Sequence, residues 1–283
     1  MEKKKIKRLQ RSSSAKINLF LDVLGRCSNS YHNIRTIFSE IELYDNLNFI
    51  LTKNSAVRIL TGTDFINIEE NIIYRVAVFI KDKYKVEDGV DIELEKNIPI
   101  AAGLGGGSSN AAFTISALSE LWNLNLSDLE MHNIARNFGS DINFFLKGGC
   151  ALGEGRGDKI TSLEHIDIDN IFLVNPGFKI SSKEAYQAVH FFNENTQWQQ
   201  LISTHDVSYC YNKLEEGICR KYPEIKFIIE HLKNNGAKKA MLSGSGATVI
   251  GFCPDRKIAD NFTKYYSKKK YWNCITKTKR STK

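Results

Sequence analysis

The stretch Pro99-Ile-Ala-Ala-Gly-Leu-Gly-Gly-Gly-Ser-Ser-Asn-Ala-Ala112 gathers four glycines at the entrance of an alanine-rich, helix-forming segment. Gly103, Gly105, Gly106 and Gly107 carry no β-carbon and reach backbone angles closed to other residues, so a bulky anion can approach their main-chain N–H groups. Ser108 and Ser109 open a helix that continues through Trp122, with Phe113, Ile115, Leu118, Leu121 and Trp122 mostly at helical spacing. Its unpaired N–H groups and positive dipole end face back toward the loop, which makes the segment a phosphate cradle. A ligand-free turn or linker is the alternative. The apolar flank Ile98-Pro-Ile-Ala-Ala102 and the amphipathic helix embed the loop in a folded domain, unlike the polar surroundings of flexible linkers. Neither GxxxxGK[ST] nor GxGxxG is present, which argues against an ordinary P-loop and a dinucleotide fold.

Working outward, short apolar or alternating runs predict strands at 14–24, 34–43, 47–51, 57–60 and 90–94. Helical spacing predicts helices at 71–84, 108–122, 127–138, 208–222, 224–234 and 255–267, the third with a Ser127 N-cap. Residues 148–153 and 171–174 read as strands or their turns, and 241–253 as a loop leading into a strand. This mixed order predicts an α+β architecture rather than a doubly wound parallel sheet. A chain of 283 residues has the length for one large domain or two moderate ones.

Composition narrows the class. With 42% hydrophobic and 25% charged residues the chain reads as an ordinary soluble protein, and no segment approaches a membrane span. Six cysteines stand without CxxC pairs and the basic start Met1-Glu-Lys-Lys-Lys-Ile-Lys-Arg8 lacks a signal-peptide core, so reduced thiols and a cytoplasmic location are expected. The net charge of +7 is unevenly spread: residues 1–11 carry +5 and residues 264–283 carry +8, leaving residues 12–263 at −6. Basic ends on an acidic body are most simply solubilising tails, with a nonspecific polyanion contact as the lesser reading.

Three more segments gain meaning beside a phosphate cradle. Ser14-Ala-Lys-Ile-Asn18 places a lysine in an apolar strand, Gly139-Ser-Asp-Ile-Asn-Phe-Phe-Leu146 places a carboxylate at a helix end before apolar residues, and Ser243-Gly-Ser-Gly-Ala-Thr248 is a second glycine loop. Taken singly, Lys16 also suits a strand-end lysine reaching water, Asp141 a turn or cap, and the second loop a tight turn. Together, Ala15-Lys16, the PxxxGLGGGSS run and SGSGA closely match the GHMP kinase superfamily, which the chain resembles from about residue 12 to residue 253. The likeness is strongest to those members that act on a cytidine diphosphate-linked alcohol in the non-mevalonate isoprenoid pathway. It rests on Ser14–Leu21, Arg26 with Tyr31-His32, the loop 99–112, Gly139–Phe145 and the closing glycine loop.

The resemblance implies an α+β, two-domain GHMP kinase fold: a ribosomal-S5-like ATP-binding domain, expected over 1–155, and a smaller C-terminal α+β domain over 156–283, with the active site in the cleft between them. It implies that Asp141 removes the proton of the acceptor's 2-hydroxyl as that oxygen attacks the γ-phosphoryl group, with Lys16 beside it. The loop residues Pro99, Ile100, Ala101, Ala102, Gly103, Leu104, Gly105, Gly106, Gly107, Ser108 and Ser109 would hold ATP, and Asn71 and Lys96 would line the adenosine pocket. Tyr31 and His32 would stack on and hydrogen-bond the cytosine, Tyr186 would supply the opposite face, and Asn18, Gly244, Ser245 and Gly246 would complete the substrate site. Mg²⁺ is expected largely through phosphates and water, with Ser108 the protein group best placed to touch it. The implied partners are ATP and a small cytidine diphosphate substrate, with no specific nucleic acid and no membrane, on a monomer or weak homodimer.

The chemistry supports these roles independently. An alcohol is a poor nucleophile, and a carboxylate that takes its proton during attack contributes roughly 10²–10⁴-fold. A neighbouring ammonium keeps that carboxylate ionised and offsets charge on the transferring oxygens. Two places depart from the family pattern: Asn29-Ser30 replaces the usual Asp-Gly before Tyr31-His32, and Asn143 replaces a proline two residues after Asp141. Other readings that stay open are a homoserine- or mevalonate-type kinase, a non-catalytic nucleotide-binding regulator and a nucleic-acid-binding protein. Tyr31-His32 speaks against the first, because a small aliphatic acceptor has no use for a base-stacking platform.

Overall fold

The structure is a computed structural model that describes residues 7–27, 31–61 and 68–280. Its two longest strands are β1 (Arg8–Arg26) and β2 (His32–Thr52). The middle of β1 is buried continuously from Ser13 to Val23, including the polar Ser13, Ser14, Lys16, Asn18 and Asp22, so both faces of the strand are covered. Residues 34–43 and 47–51, expected as two strands, are one. The polar segment between them is accommodated because Asp45, fully buried, accepts the N–H groups of Asn97 and Ile98 at 2.8 Å each and pairs with Lys96 at 2.8 Å. A polar interruption whose bonds are satisfied need not turn the chain.

The chain continues through β3 (Val57–Thr61), α1 (Ile72–Lys83), β4 (Gly89–Glu95), α2 (Gly106–Leu121), α3 (Asp128–Ala135), α4 (Ile142–Lys147), β5 (Cys150–Gly155), β6 (Lys159–Leu163) and β7 (Ile171–Asn175). There follow α5 (Ser182–Gln187), α6 (Gln197–Thr204), β8 (Tyr211–Asn212), α7 (Glu215–Lys221), α8 (Pro223–Asn234), β9 (Lys239–Leu242), β10 (Val249–Phe252), α9 (Arg256–Lys268) and β11 (Trp272–Thr276). The architecture is α+β, as expected. Among the described residues no helix is long and apolar enough to cross a membrane.

Contacts divide the chain into two units that do not follow chain order. One comprises residues 1–14, 44–98 and 106–146; the other comprises 15–43, 99–105 and 147–283. In the first, Asn46–Thr52 of β2 pairs antiparallel with β4, β3 lies parallel to β4, and α1 packs against α2. In the second, Ile34–Ser39 of β2 pairs antiparallel with β5, β5 with β6, and Phe20–Leu21 of β1 parallel with β8. A separate antiparallel sheet in the order β11-β7-β10-β9 carries α8 and α9, and its core holds Phe172, Val174, Ile228, Leu232, Phe262 and Tyr266.

Two expectations are corrected here. The helix predicted over 208–222 is broken: Asp206 caps a short 3-10 turn at Val207–Tyr209, Tyr211–Asn212 joins β1 as β8, and α7 starts only at Glu215. Strand pairing outweighs the helical spacing there. The basic C-terminal segment is not a tail within the described residues. Ala259, Phe262 and Tyr266 bury one face of α9, Ile41 bridges Thr278, and Lys279 lies 3.4 Å from the buried Glu40 carboxylate. Lys264 and Lys268 occupy the solvent face of this amphipathic helix.

Candidate active site

In the second unit two glycine loops converge on β1. The Lys16 N–H donates to the Leu104 carbonyl at 2.9 Å and Thr248 N–H to the Ala102 carbonyl at 3.3 Å, fastening 99–105 between β1 and the closing loop. Ser243 Oγ donates to the Gly103 carbonyl at 3.1 Å. Gly103 has φ +76°, and a β-carbon there would fall 2.0 Å from the Ser243 carbonyl oxygen. Gly244, at φ +53°, would put a β-carbon 3.1 Å from Asn18 Oδ1 and 3.4 Å from Lys16 Nζ. These positions demand glycine on both counts. Gly103→Ala is therefore expected to lower unfolding free energy by about 2–3 kcal/mol, measured by urea denaturation; a loss near zero would show that the loops do not meet this closely.

Lys16 stands where the second loop approaches. It is buried; its Nζ donates to Asn18 Oδ1 at 2.6 Å and sits 5.4 Å from the centroid of the Phe38 ring. Two residues apart on a strand, Lys16 and Asn18 share a face. Asn18 Nδ2 donates to Thr36 Oγ1 at 2.7 Å, and Thr36 passes the chain on to the Phe20 carbonyl at 2.7 Å. Asn212 braces the closing loop, donating to the carbonyls of Leu242 and Gly244 at 2.8 Å each. Gly246 N–H closes the turn onto the Ser243 carbonyl at 2.8 Å.

An aromatic cluster occupies the same unit. His32 stacks on Tyr186 with ring centroids 5.2 Å apart, and Phe192 lies 6.4 Å from His32. The Arg156 guanidinium covers the half-exposed Tyr31 ring at 3.7 Å. Ser182 and Ser245 hydroxyls stand 3.3 Å apart, joining the start of α5 to the closing loop. A base inserted between His32 and Tyr186 needs about 7 Å, two ring contacts of ~3.5 Å each, so these rings now occupy each other's stacking faces. Buried His32 Nε2 has no hydrogen-bond partner among the described residues. Burial, reinforced by Arg26, holds the His32 imidazole below its ordinary range, so it is neutral near pH 7. As pH falls through about 6.5 the unfolded chain takes up this proton first, so His32 costs stability in acid. Unfolding free energy should fall less steeply between pH 7.5 and 5.5 in His32→Gln than in the parent; equal slopes would count against a neutral His32. Asn29 and Ser30, the departure before this pair, lie outside the described residues.

In the first unit the glycine run becomes the first turn of α2 at Gly106, with Gly107 and Ser108 following. Lys96 faces this turn: a β-carbon on Gly106 would lie 3.1 Å from Lys96 Nζ, which also donates to the Ile98 carbonyl and pairs with Asp45. Burial pushes the Lys96 ammonium down while Asp45 opposes the shift. Ser109 is fully buried, and its Oγ has no partner among the described residues. An orphaned hydroxyl in the first turn of a helix that opens from a glycine loop fits an anionic ligand. Asn71 caps α1, accepting the Ile73 N–H at 3.0 Å.

Asp141 directly precedes α4, which corrects the expected position at a helix end: α3 stops at Ala135, and Asp141 opens a new short helix. A carboxylate there faces the positive end of the helix dipole. The structure thus brings Lys16, Asn18, Gly103 and Gly244 together in one unit, and groups Lys96 with Gly106 in the other. Thr36, Asp45, Phe192, Arg156 and Asn212 went unmarked in the sequence. Asp45 and Asn212 were legible only as polar residues in otherwise strand-like or helical runs, and Arg156 carried no signal.

Comparisons with known proteins fit this arrangement. Residues 71–149 match the family GHMP kinases N terminal domain, and residues 192–271 match GHMP kinases C terminal. The chain is 37% identical over 275 residues to the 4-diphosphocytidyl-2-C-methyl-D-erythritol kinase of Clostridium novyi (strain NT), covering 93% of this chain and 98% of the relative. It is 36% identical over 258 residues to the enzyme of that name from Clostridioides difficile (strain 630), covering 87% of each. Among solved structures, a 4-(cytidine 5'-diphospho)-2C-methyl-D-erythritol kinase aligns over 96% of this chain and 100% of its own with a TM-score of 0.81 at 27% identity. Homoserine kinase from Cytophaga hutchinsonii aligns over 99% and 96% with a TM-score of 0.71 at 16% identity, a likeness of fold alone. With matches this long and both of its family domains present, the chain belongs to the GHMP kinases.

Proposed function

We propose that this chain transfers the γ-phosphoryl group of ATP to the 2-hydroxyl of 4-diphosphocytidyl-2-C-methyl-D-erythritol, in the non-mevalonate route to isoprenoid precursors. The observation that carries the reading is 37% identity along nearly the whole of both chains to an enzyme of that name. The bond formed joins the acceptor oxygen to the γ-phosphorus; the bond broken releases ADP. Asp141 accepts the hydroxyl proton as the oxygen attacks, and the Lys16 ammonium offsets charge on the transferring oxygens. Asn18 aims Lys16, because its amide is itself fixed by Thr36. The glycine run and the N-terminus of α2 hold the ATP phosphates, with Ser109 donating its otherwise idle hydroxyl.

Lys96 adds positive charge beside the first turn of α2 and holds that turn to Asp45, a role that sits alongside the expected adenosine contact. Mg²⁺ would be carried chiefly by phosphate oxygens and water, with Ser108 Oγ as its protein contact; the chemistry it supplies is neutralisation of phosphate charge. Among the described residues no group of three or more His, Cys, Asp or Glu side chains is arranged to hold a metal ion. For the acceptor, His32 Nε2 supplies a polar edge and Tyr31, Tyr186 and Phe192 supply faces for cytosine, with His32 and Tyr186 parting to admit it.

The test is ADP release from purified protein given ATP with 4-diphosphocytidyl-2-C-methyl-D-erythritol, homoserine or mevalonate. Turnover is expected with the cytidylyl acceptor only. Turnover with another acceptor and none with the cytidylyl compound would overturn the reading.

A further inference from the structure

Asn143 stands second in α4, two residues past Asp141, and is buried to 1% exposure. Its Oδ1 lies 2.9 Å from Nδ1 of His132, on the last turn of α3. A carboxamide oxygen only accepts, so the ring nitrogen is the donor. The other end of the bond is well founded. Ser127 and Glu130 form a reciprocal capping box at the start of α3, with the Ser127 N–H donating to Glu130 Oε2 at 2.9 Å. Glu130's carboxyl is held below the usual range by those hydrogen bonds with Ser127.

Between α3 and α4 the chain runs from Arg136 to Asp141 outside any regular helix or strand. The aim of the Asp141 side chain is set by the backbone at the start of α4. That helix is short, six residues, and the N–H groups of its first turn lack intrahelical partners. We infer that His132, acting through Asn143, is a positioning residue for Asp141: the bond ties the first turn of α4 to α3 and so fixes where the carboxylate points. A rigid ring at 143 would restrict this turn covalently; here a side-chain hydrogen bond between two helices does so. The inference rests on the assignment of Asp141 as base. A catalytic group displaced by an ångström loses up to about 10²-fold in rate.

The experiment compares His132→Ala, His132→Asn and Asn143→Ala with the parent, each checked by thermal unfolding. His132→Asn keeps an N–H donor near the place of Nδ1. The alanine variants are expected to lower kcat about ten- to thirtyfold with both KM values within twofold, while His132→Asn stays within about threefold of the parent. Amide hydrogen exchange at Ile142–Phe145 should quicken about tenfold in His132→Ala, and be restored in His132→Asn. In an Asp141→Asn background, His132→Ala should add little, because the group it positions is gone. An unchanged kcat in His132→Ala, or an equal loss in His132→Ala and His132→Asn, overturns the positioning role. Should Asp141→Asn alone retain full activity, it is the base assignment that fails, whatever the exchange data give.

Discussion

Asp141→Asn is expected to lower kcat by about 10²–10⁴-fold while ATP binds as in the parent. The amide keeps the shape of the side chain at the entrance of α4 while removing its negative charge and its capacity to take a proton. The residues expected to hold the ATP phosphates, 99–109, keep their N–H groups in the variant, so nucleotide affinity should be retained. Single-turnover phosphoryl transfer and calorimetric titration with a non-hydrolysable ATP analogue separate the two effects. Full turnover in the variant would mean that the hydroxyl loses its proton to another group.

Lys16→Met is expected to lower kcat by about 10²–10³-fold. The ammonium is buried, held by Asn18 at 2.6 Å and lies over the Phe38 ring, so methionine fills the stem's space while withdrawing the charge. It also leaves Asn18 Oδ1 short of a donor, a loss of about 1–3 kcal/mol in stability. Stability and rate therefore need separate readouts. Denaturant unfolding gives the first and steady-state kinetics the second; a variant that loses stability but not kcat would reduce Lys16 to a structural brace. Its effect should combine less than additively with Asp141→Asn, because the two groups serve one proton and phosphoryl transfer.

Much of the candidate site could be read from local sequence because its chemistry is local. A glycine run before an apolar-periodic helix dictates N–H groups aimed at an anion whatever the rest of the chain does, and α2 begins within two residues of the expected start. Asn71 and Ser127 cap their helices through their own neighbouring N–H groups, again a local matter. The residues that escaped notice act across long stretches of chain. Asn212 braces carbonyls thirty residues on, at Leu242, and Asp45 gathers Lys96, Asn97 and Ile98. Nothing in the spacing of an isolated Asn or Asp announces such partners. The same blindness joined residues 208–222 into one helix, because the pairing of β8 with β1 is invisible until both strands are placed.

Sequence alone determined the α+β class and a glycine run at 103–107 opening a helix, while the roles expected for Lys16, Asp141 and Tyr31-His32 came from the resemblance to the GHMP kinases. The fold class and the glycine run follow from backbone freedom and hydrophobic period, which are properties of short segments. Tertiary structure decided which groups meet. It set Gly103 against Ser243 and Gly244 beside Lys16 and Asn18, stacked His32 on Tyr186, and turned the basic C-terminal segment into a helix, a strand and a bridge to Ile41. The physical reason is that these contacts depend on burial and pairing between residues far apart in the chain, where free energy is shared by the whole fold rather than written in any one stretch.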